Sequence, residues 1–298
     1  MAEKPSLAYA DAPGGKNGQE LAINNTLINR LFTRIALKTW GKLHKRRGVC
    51  TPISRRMIVK SSPWVDLTEA ATMKYVSENT SIPVPKVYCS FVHKGCTYIL
   101  MERKRGKSIG NVLQSLGDDG QQKVFAQLKR MMDELRSLPP AAGTGVQSCT
   151  GGSLWDSRIS RITTRFGPFA TIQEFHFWLR AGFRFEDHVH KARFDERFRG
   201  QDGKDLADME AMQDGPWPPP VFTHGDLNPS NILVHGEEVV AIIDWEFSGW
   251  YPHYWEYTAA WLTAVVFQDW RKELPRFLTT FPTELAMETT RERWWGPN

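Results

Sequence analysis

Phe222-Thr223-His224-Gly225-Asp226-Leu227-Asn228-Pro229-Ser230-Asn231-Ile232-Leu233-Val234, followed shortly by Ala241-Ile242-Ile243-Asp244-Trp245-Glu246, is the stretch on which the reading of this sequence turns. Ile232 to Val234 and Val239 to Ile243 are apolar runs either side of the polar turn His235-Gly236-Glu237-Glu238, and they predict a small hairpin. Two carboxylates and a carboxamide then stand on turns at its ends. Oxygen ligands so placed suit a hard cation such as magnesium, which takes few protein ligands beside phosphate oxygens and water. Asp244 would bind through its carboxylate and Asn231 through its amide oxygen. Asp226 would sit across a transferred phosphoryl group, able to orient an acceptor hydroxyl and take its proton. His224 reads as a buried scaffold residue bonded to nearby backbone. Asn228 is explained equally by turn formation before Pro229 and by a phosphate or metal contact.

This ordered set resembles the catalytic loop and metal-binding segment of the aminoglycoside phosphotransferase and choline kinase superfamily, itself similar to protein kinases. Asp226 to Asn231 is five residues and Asn231 to Asp244 thirteen, the separations that the resemblance requires. His-Gly-Asp stands where protein kinases have His-Arg-Asp, and Asp-Trp-Glu where they have Asp-Phe-Gly, which points to the small-molecule branch. The resemblance implies an α+β, bilobal protein-kinase-like fold with a small antiparallel-sheet N-lobe and a larger, mainly helical C-lobe. It also implies ATP and Mg2+ as cofactors and a hydroxyl on an unidentified small molecule as acceptor. Asn79 to Pro85, Gly249 to Tyr257 and Arg291 to Gly296 further resemble a fungal group of aminoglycoside-phosphotransferase-like proteins.

On the same resemblance, Lys60 at the end of the Met57-Ile58-Val59-Lys60 strand would hold nucleotide phosphates, with Glu69 fixing its ammonium by an ion pair. The residues alone leave other readings open: an exposed strand-end lysine, and a capping box between Asp66 and Glu69. Tyr98 to Gly106 resembles the linker between the lobes, where Met101 would face the base, Glu102 offer its carbonyl and Lys104 its amide. An edge strand and turn would look the same. One departure stands out: no Gly-rich loop precedes Lys60, and only Gly48 lies where a phosphate-covering hairpin belongs. That departure keeps a second reading alive, a pseudokinase acting as a nucleotide- or protein-binding module.

Outward from these motifs, Asp66 begins a helix running to about Glu78, and Val84 to Phe91 and Thr97 to Glu102 read as strands joined at Gly95. Apolar residues three or four apart from Val124 to Leu138 predict a helix that Pro139 and Pro140 end. Ile172 to Phe183 and Trp255 to Phe267 are further helices on the same grounds. The organisation is a loose polar tail over residues 1–20, an N-terminal lobe over 21–104 with a leading basic helix, and a helical C-terminal lobe over 105–298. In the basic segment, Leu27, Leu31 and Ile35 fall at helical spacing beside Arg30, Arg34, Lys38, Lys42, Lys45, Arg46 and Arg47. A helix packed on a lobe is the expectation there, ahead of a membrane-surface helix. Glu246, Trp250, Tyr251, Tyr254, Trp255 and Glu256 offer an acidic, aromatic lining for an acceptor pocket, or else core packing of the next helix.

The 298-residue chain is 41% hydrophobic with a net charge of +5, ordinary for a globular protein and too mildly basic to imply a nucleic-acid partner. No apolar run is long enough for a membrane span, and the N-terminus lacks the apolar core of a signal peptide. Four widely spaced cysteines make neither a zinc site nor a disulfide framework and fit a reducing cytoplasm.

Overall fold

The computed structural model describes residues 18–156, 158–159, 165–189, 200–264, 267 and 269–296. Most of the tail expected over 1–20 therefore lies outside the described residues. An antiparallel sheet of order β1-β2-β4-β3 forms the smaller part, from β1 (Cys50–Pro52), β2 (Met57–Ser62), β3 (Val87–His93) and β4 (Cys96–Glu102). Helix α1 (Leu27–Lys38) and helix α2 (Leu67–Asn79) accompany it. The side chains of β2 and β4 alternate, as the pleat demands. Val59 and Leu100 join Ala36 of α1 in one cluster, while Ile99 and Met101 join Met73 and Val76 of α2 in the main core. The sheet thus separates α1 from α2. Asp66 begins α2 by accepting the Thr68 amide proton at 2.7 Å, so the helix starts where its cap dictates.

The larger part carries the remaining helices: α3 (Ile109–Val112), α4 (Gly117–Arg136), α5 (Ile172–Leu179), α6 (Glu186–Val189), α7 (Gly200–Asp214), α8 (Trp255–Thr263), α9 (Trp270–Glu273) and α10 (Pro282–Trp295). Its strands are short: β5 (Lys107–Ser108), β6 (Val221–Thr223), β7 (Ile232–His235), β8 (Glu238–Ile242) and β9 (Gly249–Tyr251). They pair antiparallel as β5-β7-β8 and β6-β9. Val124, Leu128, Met132 and Leu135 of α4 are buried against the β7–β8 hairpin and the α2 side of the sheet, so one core spans both parts and fixes the hairpin relative to Lys60.

Some expectations change on contact with three dimensions. Helix α5 stops at Leu179, four residues short of Phe183, where Ala181 adopts a positive φ of 54° and Gly182 one of 72°. Helix α1 forms as its spacing predicts, but Leu27, Leu31 and Ile35 face outward; Thr33 and Ala36 make the buried contact. No helix among the described residues is long and apolar enough to cross a membrane.

Candidate active site

A cavity of about 490 Å3 opens between the sheet and the β7–β8 hairpin. Gly48, Ile58, Lys60 and Glu69 line it from the sheet side, Met101, Glu102 and Lys104 from the strand leading to the helical part, and Ile243, Asp244 and Glu246 from beyond the hairpin. Lys60 is the electrostatic centre. Its Nζ lies 3.0 Å from Glu69 Oε1 and 2.9 Å from Oε2, 2.6 Å from Asp244 Oδ1 and 3.3 Å from Glu246 Oε2. Burial alone would lower the ammonium's pKa, but the carboxylates of Glu69, Asp244 and Glu246 outweigh it and raise it. Burial pushes the Glu69 carboxyl up to about 7 despite Lys60, with Asp244 and Glu246 adding to the rise. Glu69 sits in the first turn of a helix that Asp66 caps, and it turns inward to the lysine.

Three carboxylates face one ammonium here, and single oxygens of Glu69, Asp244 and Glu246 approach within 4.8 Å of one another. The surplus of negative charge, carried on oxygen donors, suits a divalent magnesium ion. Asp244 is delivered by a left-handed backbone (φ 68°, ψ 61°) directly after β8, a conformation that Asp tolerates better than bulkier residues. A single turn of 3-10 helix, Trp245–Phe247, then returns Glu246 to the same ammonium. Glu246 was visible in the sequence only as a possible acceptor contact; its place is on the Lys60 cluster.

Asp226 and Asn231 stand together beside the cavity, outside its lining. Asn231 Nδ2 donates to Asp226 Oδ2 at 2.8 Å and to the Asp226 carbonyl at 2.9 Å, so Oδ1 is the atom left for a cation. The amide of cavity-lining Ile243 donates to the Asn231 carbonyl at 2.9 Å, which couples this pair to Asp244. Asn228 serves the turn: its Nδ2 donates to Asp226 Oδ1 at 3.1 Å and its Oδ1 accepts the Ser230 amide at 2.8 Å. Burial raises the Asp226 carboxyl, while Asn228 and the Arg158 guanidinium pull it down.

The loop holding Asp226 is fastened from behind. His224 is buried; Nδ1 accepts the Asp226 amide at 3.2 Å, so Nε2 carries the proton and donates to the Ile243 carbonyl at 3.1 Å. It is scaffold, as its position implied. Glu256 accepts the amides of His224 at 2.6 Å and Gly225 at 3.1 Å. Gly225 has φ +84°, and a Cβ there would meet the Phe247 carbonyl oxygen at 2.7 Å, so no larger residue fits. Trp250, Tyr251, Tyr254, Trp255 and Glu256 are all buried. Of the two readings open for them, acceptor lining and core packing, burial favours the second: they are core and loop support. Arg158, in contact with Asp156 and 5.6 Å from the Trp255 ring centroid, was not foreseen.

Met101, Glu102 and Lys104, expected to form a nucleotide linker, also lie on the cavity. Met101 is buried against it, and the amides of Glu102 and Arg103 donate to Lys86 and Arg56 carbonyls at 2.8 and 2.9 Å. The Lys104 ammonium is 2.9 Å from the Glu102 carboxylate. Where a Gly-rich loop would be, Arg47 and Cys50 exchange two backbone bonds of 2.9 Å around Gly48 (φ +55°), making a tight turn that lines the cavity.

The sequence matches the profile described as "Phosphotransferase enzyme family" over residues 67–292. The chain belongs to that family. Solved phosphotransferases share its fold. A thermostable mutant of aminoglycoside phosphotransferase APH(4)-Ia, in ternary complex with AMP-PNP and hygromycin B, matches at 16% identity with 87% of each chain covered and a TM-score of 0.56. Another mutant of that enzyme, with ADP and hygromycin B, gives 15% identity, 87% of each chain and 0.55. The GDP complex of an aminoglycoside 2'-phosphotransferase-IIIa mutant gives 14% identity, 89% of this chain, 87% of that one and 0.52. No curated protein matches the sequence significantly. In this phosphotransferase family member, the bilobal α+β architecture expected from the sequence is the architecture found.

Proposed function

We propose that the protein is a small-molecule kinase, transferring the terminal phosphate of ATP to a hydroxyl on its acceptor. One observation carries the reading: Lys60, Glu69, Asp244 and Glu246 converge at a cavity that Met101, Glu102 and Lys104 also line, with Asp226 bonded to Asn231 just beyond it. The adenine would lie against Met101 with its edge toward the backbone of Glu102 and Lys104, and the phosphates would reach Lys60. Asn231 and Asp244 would hold magnesium, with Glu246 near; the ion would neutralise charge on the phosphate oxygens. Asp226 would orient the acceptor hydroxyl and accept its proton, helped by Arg158, which favours the ionised carboxylate.

The test is incubation with γ-labelled ATP, or GTP in a parallel arm, and a fractionated metabolite pool, identifying whatever becomes labelled. Labelled product is expected with wild type, and Asp226→Asn should bind nucleotide as wild type does while transfer falls by about 10²- to 10⁴-fold. Equal transfer by both proteins would remove Asp226 from its role. The single-glycine turn at Gly48 favours one rival, a module that binds nucleotide without transferring phosphate. Magnesium-dependent nucleotide binding with no labelled species in any fraction would select it.

A further inference from the structure

Seven of the ten exposed large apolar side chains among the described residues lie between Leu27 and Leu43. On α1, Leu27 is 77% exposed, Ile28 79%, Leu31 54% and Ile35 56%. At 3.6 residues per turn, Leu27, Leu31, Ile35, Ile28 and Phe32 sweep an arc of about 140°, while Thr33, Ala36 and Leu37 occupy the opposite side. That opposite side is the one packed on the sheet. The helix is therefore amphipathic with respect to the protein but turns its richer apolar face outward. Trp40, in the turn after α1, lies 6.4 Å from Phe32 between ring centroids and extends the patch, and Leu43 is exposed beyond it.

The charges around this face have one sign. From Leu21 to Val65 the sequence contains no Asp or Glu, whereas Arg30, Arg34, Lys38, Lys42, Lys45, Arg46 and Arg47 all fall there. Arg34 projects along the flank between the packed side and the apolar arc, Lys38 falls within the arc at the C-terminal end of α1, and Lys42 and Lys45 follow in the turn. An apolar arc edged by cations, with a Trp at its end, has the chemistry of a helix lying in the headgroup region of an anionic bilayer. A second copy of the chain is a poor occupant, because a two-fold interface would set this cationic flank against itself.

We infer that α1 and the following turn form a docking surface for an anionic lipid bilayer, with the apolar arc at the acyl boundary and Arg34, Lys38, Lys42 and Lys45 among the headgroups. The fold permits this without blocking the cavity. Residues Val59, Cys89 and Leu100 face the α1 side of the sheet, whereas Ile58, Lys60 and Met101 face the cavity. Docking would place the phosphotransferase site at the membrane with its mouth on the other face of the sheet.

Sedimentation of the full chain with phosphatidylcholine vesicles, with and without phosphatidylserine, tests the inference. Binding is expected only when phosphatidylserine is present, and it should weaken as salt rises. Arg34→Gln and Lys38→Gln should each weaken binding about fivefold, and Leu31→Glu with Ile35→Glu should abolish it. Leu31, Ile35 and Lys38 are exposed and Arg34 half-buried, so the circular dichroism spectrum and thermal midpoint should match wild type. No sedimentation with phosphatidylserine vesicles would overturn the inference. So would sedimentation indifferent to the apolar substitutions, binding equal on both lipids, or a wild-type dimer that Leu31→Glu with Ile35→Glu dissociates.

Discussion

Two regions of this molecule gather charged and hydrogen-bonding side chains and settle them in opposite ways. At the cleft, one ammonium, Lys60, meets Glu69, Asp244 and Glu246, and negative charge is left over. Under the helical part, His176, Tyr254, Glu288 and Arg291 close on themselves. The Gln213 carbonyl can only accept, so His176 Nδ1 carries the proton and donates across 3.1 Å, and Nε2 accepts the Tyr254 hydroxyl at 2.6 Å. Arg291 Nε donates to Glu288 at 2.7 Å, one charge against one, in contact with the Tyr254 hydroxyl 3.4 Å away. The difference teaches how to separate a site from scaffold here: Lys60 and Glu69 are as buried as the closed network, but Asp244 and Glu246 keep 37% and 36% of their side chains exposed, and an unbalanced charge beside a cavity expects a partner from solution.

The sharpest way to break that contrast is Asp244→Asn. Asn keeps the left-handed backbone within reach and removes one negative charge. Metal-dependent turnover should fall on the order of 10³-fold or more, since the ion supplies several kcal/mol of charge stabilisation. The thermal midpoint in the absence of nucleotide should rise, because two carboxylates then share Lys60. A fall in midpoint together with wild-type turnover would make Asp244 a structural ion-pair partner only.

Glu288→Ala probes the other region. It strands the buried Arg291 guanidinium and should cost about 3–5 kcal/mol of stability. The magnesium-dependent affinity for nucleotide, measured below the midpoint of the variant, should be unchanged. An affinity loss with little loss of stability would mean that the two regions are energetically joined, and the contrast would fail.

How much of this was legible in the sequence follows the same division. Motifs fixed by local geometry could be read, the hairpin from two apolar runs around a polar turn and the α2 start from Asp66, whereas the pairing of Glu69 with Lys60 was read only through the resemblance. Local spacing carries the first two because strand register and helix pitch convert it directly into distance. Long-range partners were not legible. Arg158 sits in a loop without periodicity, and nothing in its neighbourhood announces Asp226, far along the chain. Trp250 to Glu256 have side chains that serve a binding surface or a core equally well, and only packing shows that Glu256 holds the amides of His224 and Gly225. The spacing of Leu27, Leu31 and Ile35 identified a helix but could not say which side meets protein, since small Thr33 and Ala36 make the contact.

The smallest effect is the pH dependence that the closed network contributes through His176. Burial holds the His176 imidazole down at about 4, against an ordinary 6.5. Above pH 6.5 the ring is neutral folded or unfolded and contributes no slope. Between 6.5 and about 4 the unfolded chain takes up a proton that the folded chain refuses, so stability falls as pH falls, by up to about 3 kcal/mol. Denaturant unfolding across that window should show the decline in wild type and a shallower one in His176→Gln. At the cleft the sign is reversed: Glu69, raised to about 7, binds its proton more readily folded than unfolded and works against the loss. A decline that survives His176→Gln undiminished would place the acid-sensitive group elsewhere and deprive the closed network of its one titrating member.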